Sequence, residues 1–333
     1  MKKTLIFIIV LVIIATVAWG ILLHTPIIKK NDFHYVLKSG VSARTFANDL
    51  HKHAGLKNPF LFRLLIKLSG EGHKLQSGEY FFPKGSTASE VLGMVVDGEV
   101  LNYPFIIVNG WNYRGVVKAL QKNSSLKKTI AGQSAQAVAK KLGTEYKTPE
   151  GLLFPDTYYY VSGATDFAVL QRAYKTMQDY LQKAWQNRAS DLPYRNSYKA
   201  LIVASMIEKE TAIKQEKPII AAVILNRLKK WIPLQIDATV IYGLGENFNG
   251  DLTRKDLRHK TPYNTYVNYG LPPTPISMPG RDSIQAALHP AKTDVLYFVA
   301  KDDGTHKFSK TLKRHDLAVE KYQLHESVAK QNK

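Results

Sequence analysis

The chain opens on one unbroken apolar run, after which apolar positions recur with the periods of strands and helices. After Met1-Lys2-Lys3, the stretch "LIFIIVLVIIATVAWGILL" from Leu5 to Leu23 carries no charged residue. At about 1.5 Å of rise per residue, a helix of this length roughly covers the hydrocarbon core of a bilayer. The apolar region of a cleaved signal peptide is shorter, about 7–15 residues, and no A-x-A site follows this run. The pattern predicts an uncleaved single-span anchor over 5–23, with residues 1–4 as its tip and everything after it on one side. Lys2 and Lys3 before the span face Lys29 and Lys30 after it, so charge alone does not orient it.

Beyond the anchor the period changes repeatedly. Phe33–Leu37 alternates as a strand, Ser39-Gly40 marks a turn, and a helix starts near Ser42, a good N-cap. "NPFLFRLLIKLSG" predicts a second helix stopping at Gly70. "LQSGEYFFPKGSTASEVLGMVVDGEV" adds a short strand, a turn and a helix capped at Ser86 or Thr87. These elements make a compact β-α-α-β-α unit over 33–97.

A connecting region, 98–147, gives mixed signals, with a strand, a turn at Asn109-Gly110 and a helix in "YPFIIVNGWNYRGVVKAL". Helical stretches are predicted at 164–187, 197–213 and 216–230. From Trp231 to Gly280 the text is loop-like, rich in Gly, Pro, Asn and Tyr. "VLYFVA" and "THKFS" then read as strands paired around Asp303-Gly304, and a last helix runs to about 328. The expected fold class is α+β: an N-terminal transmembrane helix, a small βααβα subdomain, and a larger mixed α/β domain over 148–328.

Composition narrows the function. With 333 residues, 45% apolar and 22% charged, the chain can bury a sizeable core. The absence of cysteine excludes disulfides, thiolate metal sites, a Cys nucleophile and a lipoprotein anchor. A net charge of +19 raises nucleic acid as a partner, but the lysines and arginines are spread without a dense block or an Arg-rich arm. Anionic head groups or a carboxylate-bearing polymer account for that charge as well, and no nucleic-acid partner is expected. His51 and His53, two apart on a helix, share no face, so no metal site is expected there. There is neither a phosphate loop nor a dinucleotide fingerprint, and no cofactor is expected.

Chemistry concentrates in "ASMIEKET" at 204–211, where two glutamates leave an apolar segment. Burying an ionised carboxylate is costly and is relieved by a raised pKa or a partner. On a helical wheel of about 100° per residue, Glu208 shares a stripe with Leu201, Ala204, Ser205 and Ala212. Small residues there leave room for a groove, which favours Glu208 as the cavity-facing carboxyl. Glu210 falls with Val203, Met206 and Ile207, a bulky stripe that reads as core. The bland alternative is a helix end with two solvated glutamates. The Tyr- and Pro-rich stretch from 232 to 280 is either a surface for sugar faces and hydroxyls or a braced structural loop, and composition does not separate the two.

Taken in order, "EGLLFPDTYYY" (150–160), "ASMIEKETA", "ILNRL" (224–228), "LQIDATVIYGLG" (234–245), "PYNTY" (262–266), "GLPPTPI" (270–276), "HPA" (289–291), "LYFVA" (296–300) and "HKFSKT" (306–311) resemble the motif series of the YceG-like family, the endolytic murein transglycosylases (MltG). The resemblance is dense over 150–323, and 33–97 resembles the family's LysM-like subdomain. "FIIVNGWNYRGV" departs from it, standing where relatives often carry a "PEGW"-like turn.

The resemblance implies a lytic transglycosylase that cuts the MurNAc–GlcNAc β-1,4 bond inside nascent peptidoglycan strands. The muramyl C6 hydroxyl captures the anomeric carbon, leaving a 1,6-anhydro end and terminating elongation. One glutamate must then act first as acid and afterwards as base, whereas ordinary glycosidases use two carboxylates.

By the same resemblance Glu208 is the catalytic residue. Asp237 is open to reading as a second catalytic carboxylate, a hydrogen-bond partner or a turn residue, with substrate binding or positioning favoured. Tyr263, Asn264, Thr265 and Tyr266 match the family's motif and line the cleft, with Asn264 facing an N-acetyl group. His306 is a further substrate-binding candidate, the other reading being a satisfied structural histidine. For Glu150 and Asp156, capping or turn roles compete with sugar contact. The implied setting is the inner (cytoplasmic) membrane, with residues 1–4 cytoplasmic, the body periplasmic, and peptidoglycan synthases as partners. A noncatalytic wall-binding scaffold is the competing function.

Overall fold

The computed structural model describes residues 2–29 and 31–324, so the expected extension of the last helix to 328 lies outside the described residues. Helix α1 (Lys2–His24) contains a span, Lys3–Ile21, long and apolar enough to cross a membrane by length and composition. The chain divides into two compact units. One takes the residues up to Pro104 together with Tyr159–Ala164; the other takes Phe105–Tyr158 and the chain from Thr165 onward.

The first unit contains β1 (Phe33–Leu37), α2 (Ala43–Asp49), a wide helical turn over Leu50–Ala54, α3 (Pro59–Ser69), β2 (Gly78–Phe82) and α4 (Ala88–Asp97). Local chemistry sets the helix ends. The Ser42 hydroxyl accepts from Thr45 N–H, Asn58 caps α3 with Pro59 just inside it, and Gly70 ends α3 at φ +70°. Thr87 and Glu90 bond reciprocally in a capping box, worth about 1 kcal/mol to α4. β1 and β2 pair antiparallel with Tyr35 opposite Tyr80, and their inner faces close over Phe46, Phe62, Ile66, Val91 and Val95.

β3 (Asn102–Ile106) pairs with β4 (Thr157–Val161). The second unit holds α5 (Tyr113–Lys122), α6 (Ala135–Leu142), α7 (Asp166–Gln186), α8 (Ser197–Glu210), α9 (Lys217–Lys229), α10 (Asp237–Leu244), α11 (Arg254–Leu257) and α12 (Arg281–Leu288). A hairpin, β5 (Tyr297–Ala300) and β6 (His306–Ser309), and α13 (Leu312–Val319) complete it. Helix α8 runs through the core. Every residue from Ala200 to Ile207 is buried, which explains an apolar stretch with no polar face. It packs against α12 and α9, with α7 and α10 also in contact. The hairpin pairs Tyr297 with Ser309 and Ala300 with His306, and Asp303 closes its turn by accepting from Thr305.

Two expectations need correction. Helix α8 stops at Glu210 rather than 213, because Thr211 is extended (φ −148°) and its hydroxyl accepts from Ile213 N–H. The loop-like stretch 231–280 contains α10 and α11, of eight and four residues, too short for a helical period to stand out.

Candidate functional site

The two glutamates at the end of α8 enter opposite environments. Glu208 is closed off: its side chain is 7% exposed, and the Lys217 ammonium, 6% exposed, lies 3.2 Å from Oε1. Oε2 accepts from Gly280 N–H at 2.9 Å and from the Ser283 hydroxyl at 2.6 Å, while Lys217 also donates to Ser283 Oγ at 2.8 Å. Gly280 and Ser283 belong to the first turn of α12, where unpaired N–H groups favour an anion. A buried carboxylate met by a cation and two further donors is fully compensated, and it ties α8 to α9 and α12. A Cβ at Gly280 would stand 2.6 Å from Asn109 Nδ2, so the Asn109 side chain would have to shift to admit one.

The small stripe around Glu208 therefore serves close packing rather than a groove. Ser205 Oγ accepts from Ile276 N–H, and its carbonyl accepts from the Ser277 hydroxyl. The groove lies on the Glu210 side.

Glu210 lines a groove of about 430 Å³ with Arg227, Gln235, Asp237, Tyr266, Phe298 and His306. Burial raises its carboxyl to about 7, and the neighbouring charge of Asp237 adds to the shift. Asp237 is the first residue of α10 and accepts from the Tyr266 hydroxyl at 2.5 Å. Burial and this bond hold the Tyr266 hydroxyl in its protonated form, well above the usual phenol range.

Arg227 braces the groove floor. Its guanidinium donates to the carbonyls of Pro233, Leu234 and Leu296 and to Gln235 Oε1. Gln235 takes a left-handed backbone (φ +54°), a conformation costly for any residue but glycine. Its N–H bond to Thr265 O and the bond from Ile236 N–H to Thr265 Oγ1 fix it there. His306 sits on the groove edge with Nδ1 2.7 Å from Glu216 Oε2, while its backbone N–H donates to Glu216 Oε1 at 2.8 Å. Burial alone would raise Glu216, but the bonds from His306 and Thr211 bring it below the usual glutamate value.

The "YNTY" residues separate. Tyr266 reaches the groove. Asn264 does not: it is fully buried, donates to the carbonyls of Leu257 and His259, and accepts from Tyr266 N–H. Thr265 is likewise buried, bonded to Thr239 and Ile236. Both hold the segment's shape through these internal bonds. Tyr263 lines a second cavity and bonds Thr274 at 3.0 Å.

That cavity, about 540 Å³, has Glu150 in its floor. Glu150 is 2% exposed and accepts from Tyr113 N–H, the first residue of α5, and from the Tyr242 hydroxyl of α10, each at 3.0 Å. Burial raises it to about 7 against these bonds. Of the readings open for Glu150, the helix cap is the one observed. Asp156 is exposed and accepts from Thr157 N–H, a turn role. Sequence reasoning missed Arg227, Glu216, Lys217 and Ser283. Arg227 lay within the "ILNRL" motif. Glu216 and Ser283 meet partners 90 and 75 residues away, and Lys217 meets Glu208 nine residues back across the break between two helices, so none leaves a local signal.

These features define a mixed α/β protein with a helical core and an acid-bearing groove walled by an irregular aromatic segment. The chain belongs to the YceG-like family, matched over residues 35–321. It is 34% identical over 309 residues to the endolytic murein transglycosylase of Bacillus subtilis (strain 168), covering 86% of this chain and 83% of that one. The endolytic murein transglycosylase of Streptococcus pneumoniae serotype 2 is 32% identical over 185 residues, 54% of this chain but 33% of that longer protein. The crystal structure of a putative yceG-like protein from Listeria monocytogenes matches with a TM-score of 0.52 at 28% identity, covering 87% of this chain and 100% of that one.

Proposed function

We propose that the chain is an endolytic murein lytic transglycosylase, with Glu210 as its acid and base. The observation that carries this reading is the Glu210 carboxyl, which lines the groove beside Asp237 and is raised to about 7 by burial. Near neutral pH such a group is present in both protonation states, as a residue serving two proton transfers requires.

Glu210 donates its proton to the glycosidic oxygen as the bond to muramyl C1 breaks, and positive charge develops on the sugar. The C6 hydroxyl of the same residue attacks C1 and returns its proton to the Glu210 carboxylate. A 1,6-anhydro ring closes, a free GlcNAc 4-hydroxyl leaves, and no water is consumed. Burial first, and the Asp237 charge second, hold the Glu210 carboxyl near 7, and Asp237, oriented by Tyr266, offsets charge on the sugar ring. His306, oriented by Glu216, is positioned to bond substrate hydroxyl or acetamido groups. This reading moves the acid from Glu208 to Glu210, since the Glu208 carboxylate is already used by Lys217, Gly280 and Ser283.

The remaining assignments rest on the family resemblance and the apolar character of α1. The chain is anchored by α1 in the cytoplasmic membrane, with its tip cytoplasmic and its body on the periplasmic side. The first unit grips glycan as a LysM-like module, and the enzyme trims strands beside peptidoglycan synthases.

Mass analysis of products from uncrosslinked glycan tests the function. The expected fragments are lighter by one water than hydrolytic ones and lack a reducible muramyl end. Reducing muramyl ends would mean that water is the acceptor, with Asp237 as second carboxylate. Uncut glycan that still binds would leave a noncatalytic scaffold.

A further inference from the structure

The groove at Glu210 and the cavity above Glu150 share two helices as walls. Helix α8 gives Glu210 to the groove and the preceding Lys209 to the cavity; α10 gives Asp237 to the groove and Ala238, Ile241 and Tyr242 to the cavity. A polymer held with its scissile bond at Glu210 therefore has the cavity beside it.

The cavity's chemistry is specific. Val117, Ile241 and Ile276 supply apolar wall, and Tyr242 and Tyr263 meet there with ring centroids 4.7 Å apart. The one carboxyl in its lining, Glu150, is already bonded to Tyr113 and Tyr242. The charged groups free to meet a ligand are cations. Lys209 is exposed and makes no ion pair among the described residues, and Arg114 has only a loose surface pair with Glu246 at 3.6 Å. A volume of about 540 Å³ falls in the range of small-ligand sites, about 300–1,000 Å³.

Murein sugars are neutral, and the carboxylates of a murein strand sit on the peptides attached to the muramyl lactyl groups. We propose that this cavity receives the peptide stem of a muramyl residue, with Arg114 and Lys209 pairing to a stem carboxylate, so that the enzyme selects strands still bearing peptides. The proposal rests on the glycan-cleaving reading of the groove. Glu150 acts as a positioning residue here, holding the α5 and α10 walls at a fixed separation.

The test uses the full-length protein and a variant carrying Arg114→Ala with Lys209→Ala. Two probes are compared: uncrosslinked strands with stems intact, and the same strands stripped of peptide by an amidase, with the lactyl carboxylates this exposes capped as methylamides. The expected result is a KM about tenfold higher for stem-bearing strands, the loss of roughly one charge-assisted contact, with kcat nearly unchanged. Stripped strands should be cut equally by both proteins. Equal slowing on both probes, or no effect on either, overturns the proposal.

A second measurement separates it from the catalytic reading. Calorimetric binding of a free stem tripeptide to the Glu210→Gln protein needs no cleavage. That binding should weaken about tenfold when Arg114→Ala and Lys209→Ala are added. Failure of the tripeptide to bind sinks the cavity assignment alone, whereas binding without any glycan cleavage by wild type sinks the reaction alone.

Discussion

Lys217 and Glu208 form a buried ion pair that Ser283 closes into a ring, tying three helices together at the end of α8. Removing one partner leaves an uncompensated charge. Glu208→Gln should therefore destabilise the fold by about 3–5 kcal/mol, and Glu208→Gln with Lys217→Met should recover much of the loss. Urea unfolding of the three proteins checks this. A Glu208→Gln protein as stable as wild type but inactive would return the catalytic role to Glu208.

Glu210→Gln should lower kcat by about 10²–10⁴ or more, since one group serves two proton transfers. Stability should hold or rise slightly, because the variant removes a carboxyl that burial disfavours in its charged form. Release of anhydro-muramyl ends, measured beside a thermal melt, distinguishes this from a folding defect.

The reaction begins with Glu210 protonated, so kcat/KM should fall about tenfold per pH unit above about 7. Desolvation is the larger cause of the shift and the Asp237 charge the second. Asp237→Asn should move the midpoint to lower pH without returning it to that of a solvated glutamate. The acceptor should remain the C6 hydroxyl. A pH–rate profile unchanged by Asp237→Asn would separate the two carboxyls functionally.

Glu150 gives a stability signature of definite sign. Its folded-state pKa is raised to about 7 by burial. As pH rises through the ordinary glutamate range, the unfolded chain releases its proton first and the folded state resists. The contribution to stability is complete below that range and is lost as pH approaches about 7, amounting to roughly 3 kcal/mol. Glu150→Gln should flatten this slope. Comparing unfolding free energies of variant and wild type at pH 5 and pH 8 isolates it from the similar term at Glu210.

Elements whose ends are set within three or four residues were legible in the text. Ser42, Gly70 and Thr87 each satisfy or terminate their own helix, so their sequence signals are also their structural causes. The site was legible as a region but not in its detail. Spacing along α8 establishes that Glu208 and Glu210 point apart, but small residues around a carboxyl either leave a groove or admit another helix. Which occurs was decided by α12, about 70 residues downstream. The Glu216–His306 bond spans 90 residues and Glu150–Tyr242 spans 92, distances at which local pattern carries no information.

The buried Asn264 amide gathers carbonyls from 257 and 259 on one side and the Tyr266 N–H on the other. This single side chain determines where the chain can be lengthened. Between Gly245 and Thr253, whose residues are largely exposed, extra length can be looped out without disturbing the knot, and homologues are free to drift there. From Leu257 to Tyr266 one inserted residue would shift the Tyr266 hydroxyl out of register with Asp237, so that decapeptide is open to substitution but closed to indels.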